Sequence, residues 1–169
     1  MGGGSILQAG YRDAHFTCNN CNFEWNYALQ GGLFYVDFGS VAECNNCSMT
    51  NTVAVRGGVA FLINDGSVLF TNVTINSNQA MDAPLIFMSI TKNRMSYLTN
   101  CTINDNTFVT FEDFAAKTGM AWVQDEYTTS IDQSKEFLSK SIIPNWISSI
   151  SMTQAQLTIR GNSVITRQK

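Results

Sequence analysis

Asn46-Cys47-Ser48-Met49-Thr50-Asn51-Thr52-Val53-Ala54 follows Asn20-Cys21-Asn22-Phe23-Glu24-Trp25-Asn26-Tyr27-Ala28 by 26 residues and precedes Asn72-Val73-Thr74-Ile75-Asn76-Ser77-Asn78-Gln79-Ala80 by another 26. A fourth copy, Asn100-Cys101-Thr102-Ile103-Asn104-Asp105-Asn106-Thr107-Phe108, comes 28 residues later. Between the copies Gly31-Gly32-Leu33-Phe34-Tyr35 recurs as Gly57-Gly58-Val59-Ala60-Phe61, then as Ala83-Pro84-Leu85-Ile86-Phe87 without its glycines. A period of this length, made of short alternating runs punctuated by Asn and Gly, marks a solenoid whose rungs each supply strands to parallel sheets.

The copies assign sides. Phe16, Ala42, Val68 and Ser96 form one column; Cys18, Cys44, Phe70 and Leu98 a second; Cys21, Cys47, Val73 and Cys101 a third; Phe23, Met49, Ile75 and Ile103 a fourth. These are mostly apolar, while the residues between them (Asn22, Ser48, Thr74, Thr102 and Glu24, Thr50, Asn76, Asn104) are polar, the alternation of a half-buried strand. Two polar residues separate the second and third columns, so Asn19-Asn20, Asn45-Asn46, Thr71-Asn72 and Thr99-Asn100 fall at a corner. The Gly-Gly pairs make another corner, because glycine takes positive φ without steric cost. A second face follows each pair, at 33–38, 59–63 and 85–90.

Past Phe108 the register is lost. The segments 110–122 and 130–143 carry helix signals: Thr110 before Glu112 and Asp113, Ser130 as a cap, and Pro144 as a stop. In the second, Ile131, Ser134, Leu138 and Ile142 share one face. Gln156-Leu157-Thr158-Ile159-Arg160-Gly161-Asn162-Ser163-Val164 then matches the pattern of Asn72 to Ala80. The division expected is therefore β-helix rungs over 3–108, a helical insertion between rungs or a cap over 109–145, and a resumed rung over 146–169. Gly3-Gly4-Ser5-Ile6 reads as the corner of a preceding rung, 28 residues before Gly31-Gly32, so the chain reads as an excerpt of a longer solenoid.

Phe23-Glu24-Trp25-Asn26, with Ile75-Asn76-Ser77-Asn78 and Ile103-Asn104-Asp105-Asn106, resembles the FxxN element of polymorphic outer-membrane protein repeats. Gly31-Gly32-Leu33-Phe34 and Gly57-Gly58-Val59-Ala60 resemble their GGA[ILV] element. The resemblance covers roughly 3–108 and departs at Ala83-Pro84. It implies an all-β, right-handed parallel β-helix of the pectin-lyase-like type in a surface or adhesive protein.

A net charge of -3 offers no basic stripe for nucleic acid, and no apolar run reaches the length that spans a bilayer. Cys18-Asn19-Asn20-Cys21 and Cys44-Asn45-Asn46-Cys47 spell CxxC twice, the signature of a four-thiolate zinc site. They also lie one period apart in columns held elsewhere by Phe70, Leu98 and Val73, which reads as stacked core cysteines with no metal. Rungs about 4.8 Å apart fall inside the Cα separation a disulfide tolerates, roughly 4.4 to 6.8 Å. Cys18 with Cys44, and Cys21 with Cys47, are candidate bridges, with free thiols as the alternative.

Asn46, Asn72 and Asn100 each begin an N-glycosylation sequon. The competing reading is an asparagine ladder through Asn20, Asn46, Asn72 and Asn100, each amide bonding up the stack. The second column, Asn26, Asn78 and Asn106, reads as structural. His15, the one histidine, reads as a local hydrogen-bonding group. Asp37, Asp65, Asp105 and Arg56 occupy different columns, where a polysaccharide lyase or glycosidase would cluster its acids and bases. Thr74-Ile75-Asn76 above Thr102-Ile103-Asn104, with Ser48-Met49-Thr50, resembles the TxT face of ice-binding solenoids, interrupted by Glu24. Trp25, Tyr27, Tyr35, Trp122 and Trp146 are candidates for a sugar platform. The expectation is a structural or adhesive segment of an extracellular or cell-surface glycoprotein, non-enzymatic and without cofactor. Its partners would be further rungs, copies of itself end to end as a filament, or surface glycans. A carbohydrate- or ice-binding face is the alternative, and a polysaccharide-active enzyme the third choice.

Overall fold

The structure, a computed structural model, describes residues 6–9, 12–119 and 150–165. It is a parallel β-solenoid of about four turns. The first full rung is β2 (His15–Asn19), β3 (Asn22–Glu24), β4 (Tyr27–Gln30) and β5 (Phe34–Val36), with β1 (Leu7–Ala9) preceding it beside β5. The second is β6 (Val41–Asn45), β7 (Ser48–Thr50), β8 (Val53–Arg56) and β9 (Ala60–Ile63). The third is β10 (Ser67–Thr71), β11 (Thr74–Asn76), β12 (Gln79–Asp82) and the first part of β13 (Ile86–Thr99). The fourth takes the rest of β13, then β14 (Thr102–Asn104), β15 (Thr107–Phe108) and the start of β16 (Ile150–Arg160); the end of β16 and β17 (Val164–Ile165) begin another.

All strand pairs are parallel and join the same face of successive rungs. One sheet runs β1-β5-β9-β13-β10-β6-β2 with β16 on β13, the second β17-β14-β11-β7-β3, the third β15-β12-β8-β4. Phe23, Met49, Ile75 and Ile103 are direct Cα partners, and so are Cys18, Cys44, Phe70 and Leu98. Met49, Ile75 and Ile103 are fully buried, and each side chain of that size contributes about 1.5–3 kcal/mol by leaving water. Phe34 anchors the centre of this core, with ring centroids 5.9 to 6.0 Å from Phe16, Phe23 and Phe70. On the opposite side of its sheet Tyr35, Phe61 and Phe87 stack nearly parallel, at 5.5 and 4.8 Å.

The corners are columns of left-handed residues. Asn20, Asn46, Asn72 and Asn100 have φ between 52 and 55°, a conformation asparagine tolerates better than other side chains. Trp25, Asn51, Ser77 and Asp105 form another such column, a corner that divides each FxxN run into two strands where the sequence reads as one. Just inside it lies a buried polar ladder. Asn78 Oδ1 accepts from Thr52 N and Oγ1 at 3.0 and 2.9 Å, while Asn78 Nδ2 donates to Met49 O at 3.0 Å and Asn106 Oδ1 at 2.9 Å. At the glycine corner, a Cβ on Gly58 would lie 2.0 Å from Pro84 O of the next rung, so the stack itself requires glycine there.

The segment 109–149 joins β15, which ends one face of the fourth rung, to β16, which begins the next. Its described part is α1 (Phe111–Thr118). Thr110 Oγ1 accepts from Asp113 N at 3.2 Å as the cap, and Gly119, at φ 72°, closes the helix before residue 122. Phe114 is fully buried against Val53, Val55 and Met81, so α1 covers the face formed by β8 and β12. The expected helix over 130–143, and Pro144, lie outside the described residues, as do Gly3, Gly4 and Ser5.

The returning rung sits differently from its sequence match. Ile159 pairs with Leu98, not in the Ile75 column, and Ile165 takes the place beside Ile103. Both faces alternate with the same period, so the pattern of apolar residues alone fits either; Gly161, at φ 68° beside Asn100, marks the corner that decides. At the other end Leu7 pairs with Phe34, an offset of 27 residues rather than 28. No helix among the described residues is long and apolar enough to cross a membrane.

Candidate functional site

The departure from the 26-residue period builds an open recess on the surface. Between β5 and β6 the chain turns through Asp37, Phe38 and Gly39, and between β9 and β10 through Asn64, Asp65 and Gly66. In β13 the same turn carries two more residues, since Ser89 pairs with Ile63 while Tyr97 pairs with Leu69. The added length puts Asn93 and Arg94 above the earlier turns. Arg94 passes Gly39, whose missing side chain leaves the space, and donates to Asp13 Oδ1 at 2.6 Å. Asn93 grips Asp65 twice, N to Oδ1 at 2.9 Å and Nδ2 to Oδ2 at 2.8 Å. These residues, with Arg12, Phe38 and Asn64, line an open cleft of about 280 Å³, near the lower end of ligand-sized clefts, roughly 300–1,000 Å³.

Inside this edge Asp37 is buried, and its Oδ1 accepts from Phe38 N at 2.6 Å and Asn64 Nδ2 at 2.9 Å. Asp37 and Asp65 thus brace turns. Arg56 lies 3.7 Å from Asp82 at another corner, and Asp105 occupies a left-handed corner position; the four residues weighed as catalytic are not brought together. Burial raises the Asp82 carboxyl above its ordinary value against the pull of Arg56. His15 Nε2 meets Glu43 Oε2 at 3.0 Å on an exposed strand.

The turn columns also hold bulky residues in an unfavourable backbone state. Phe38 (φ 49°) and Ile90 (φ 56°) flank Asn64 (φ 45°), and Trp25 (φ 57°) precedes Asn51 (φ 56°). Phe38, Ile90 and Trp25 are 49%, 51% and 64% exposed. Tyr27 is also exposed, whereas Tyr35 is half-buried in the stack with Phe61; Trp122 and Trp146 lie outside the described residues.

The sequon asparagines Asn46, Asn72 and Asn100 are all exposed at their corner, as is Asn20. Asn72 Nδ2 donates to Asn46 Oδ1 at 3.0 Å, and Asn45 Nδ2 to Asn19 Oδ1 at 3.1 Å alongside. Asn100 Oδ1 accepts from Asn162 N at 2.9 Å. Thr74 and Thr102 are exposed and Ser48 is half-buried, with Glu24 exposed at the head of the neighbouring column.

The stacked cysteines converge. Cys18 Sγ lies 2.8 Å from Cys44 Sγ and 3.8 Å from Cys47 Sγ, all three thiols being buried. They lie within 4.8 Å of one another and, among the described residues, are the ones that could hold a soft metal ion. Cys21 is half-buried; its Sγ donates to Asn19 O and its backbone N donates to Cys47 Sγ, both at 3.4 Å. Burial pushes the Cys18 thiol up to about 12 and raises Cys44 and Cys101 as well.

Compared with known proteins, the chain matches no protein-family model, no curated protein and no solved structure. The turn-edge cleft and the bulky corner residues leave little trace in a search for catalytic motifs. Their signal is an irregularity: a 28-residue spacing among 26-residue ones, and Trp, Phe and Ile where neighbouring rungs hold Asn.

Proposed function

We propose that the chain is a structural and adhesive segment of an extracellular or cell-surface β-helix protein, without a catalytic role. Its partners on this reading are further rungs, copies of itself end to end, and surface glycans. The observation that carries the adhesive part is the placement of Trp25, Phe38 and Ile90. A left-handed backbone costs an ordinary side chain about 1–2 kcal/mol, and with about half or more of each side chain left in water burial returns only part of that. Folding alone favours the asparagine found one rung away in each case. Bulky apolar groups kept at such positions are explained by contact with something outside the chain.

The cleft favours a second, narrower reading, carbohydrate binding. Phe38 lines it beside Arg12, Asp13, Asn64, Asp65, Asn93 and Arg94, a mixture of donors and acceptors suited to hydroxyl groups. Two cations and two carboxylates balance, which fits a neutral sugar better than a charged one.

The test uses the triple variant Trp25→Asn, Phe38→Asn, Ile90→Asn. Each replacement should leave stability unchanged or raise it by about 1 kcal/mol. Beads coated with the variant should lose adhesion to a panel of immobilised oligosaccharides and matrix proteins that retains wild-type beads. Undiminished adhesion, or earlier unfolding, would remove the basis of the proposal. Free neutral oligosaccharides competing with the wild type but not with Phe38→Asn alone would single out the cleft.

A further inference from the structure

The geometry points to a modification site in the core: we infer that Cys18 and Cys44 close a disulfide that staples the first full rung to the second. The two are direct partners on adjacent parallel strands, 26 residues apart, with sulfurs at 2.8 Å. That separation is shorter than two unbonded sulfurs ordinarily keep. Strand spacing of about 4.8 Å lies within the Cα range of disulfides.

A metal fits the same atoms less well. Thiolates on one zinc, with Zn–S about 2.3 Å, stand roughly 3.8 Å apart at tetrahedral angles. Cys18 and Cys47 meet that distance, but Cys18 and Cys44 would have to part by about 1 Å. The fourth CxxC thiol, Cys21, turns to Asn19 O instead.

The location gives the staple a purpose. Phe16, Cys21 and Phe23 are half-buried, while Ala42, Cys47 and Met49 beneath them are buried. A covalent tie between these two rungs opposes their separation.

The oxidant is a small disulfide RSSR of the glutathione type. The Cys18 thiolate, its proton lost to solvent, attacks RSSR to give Cys18–S–SR and one RSH. Cys44, also losing its proton, displaces the second RSH and forms the Cys18–Cys44 bond, so two protein thiols are oxidised as one RSSR is reduced. The mixed disulfide needs room that the packed core lacks, and burial raises both thiols far above the range where thiolate is abundant near neutral pH. The bond thus closes while the rungs assemble.

The full chain, refolded from denaturant in a glutathione–glutathione disulfide buffer and then alkylated, tests this by peptide mapping. The expected result is one Cys18–Cys44 linkage, and alkylated Cys21, Cys47 and Cys101. The urea midpoint should fall when reductant is added; in Cys44→Ser it should not respond, and in Cys101→Ser it should respond as in wild type. Five free thiols after refolding, a linkage between any other pair, or one zinc per chain bound through Cys18, Cys44 and Cys47 when refolding is done with zinc present, would each overturn the inference.

Discussion

At the residue scale, two asparagine columns that look alike in sequence do different work. Asn72 is exposed, takes φ 54° and makes one amide link to Asn46. Asn78 is wholly buried, and its amide satisfies Thr52 N, Met49 O and Asn106 Oδ1 at once. Removing a buried partner leaves each abandoned group desolvated, at about 1–3 kcal/mol apiece. Asn78→Ala should therefore lose about 3 kcal/mol or more, and Asn72→Ala about 1 kcal/mol from its left-handed backbone. Equal losses in urea unfolding would mean that the interior ladder is not what holds that corner. Sequence period shows that both columns exist; it does not show which amide is enclosed, because enclosure depends on the unpunctuated corner at Trp25, Asn51, Ser77 and Asp105. A Gly-Gly pair advertises a corner through its chemistry, whereas Trp25 there contradicts its own local preference.

At the element scale, strands were more legible than the piece that interrupts them. The inward columns of Cys18 and Phe23 follow from alternation plus repetition, two constraints that agree at every rung. The segment after Phe108 has neither, and only its cap chemistry, Thr110 with Asp113, points to α1. What α1 covers was hidden, since nothing in the repeat marks Val53, Val55 and Met81 as facing a helix. Burying Phe114 among them explains why that outer face is apolar at all. Phe114→Ala should cost about 3–5 kcal/mol if α1 unfolds together with the rungs. If hydrogen exchange shows α1 opening by itself, the loss should be confined to α1, with β8 and β12 amides as protected as before; faster exchange in neither would contradict the packing described. The resumed strand β16 shows the other limit: Leu157, Thr158 and Ile159 fit two faces equally by pattern, and corner geometry at Gly161 chooses between them.

At the scale of the whole molecule, regularity makes the scaffold and departures from it make the surface distinctive. Rungs of 26 residues stack one above another with nearest-neighbour contacts only, so stability accumulates rung by rung. The two residues added before Tyr97 lift Asn93 and Arg94 over the earlier turns and wall the cleft; α1 covers the face formed by β8 and β12. All of this depends on the register of the stack, and side-chain NMR measures it directly. With methyl labels on Met49, Ile75 and Ile103, NOEs should link Met49 to Ile75 and Ile75 to Ile103, while Met49 and Ile103, two rung spacings or about 9.6 Å apart, should show none. A strong Met49–Ile103 cross-peak, or the absence of both neighbouring ones in the folded protein, would contradict the stacked-rung account.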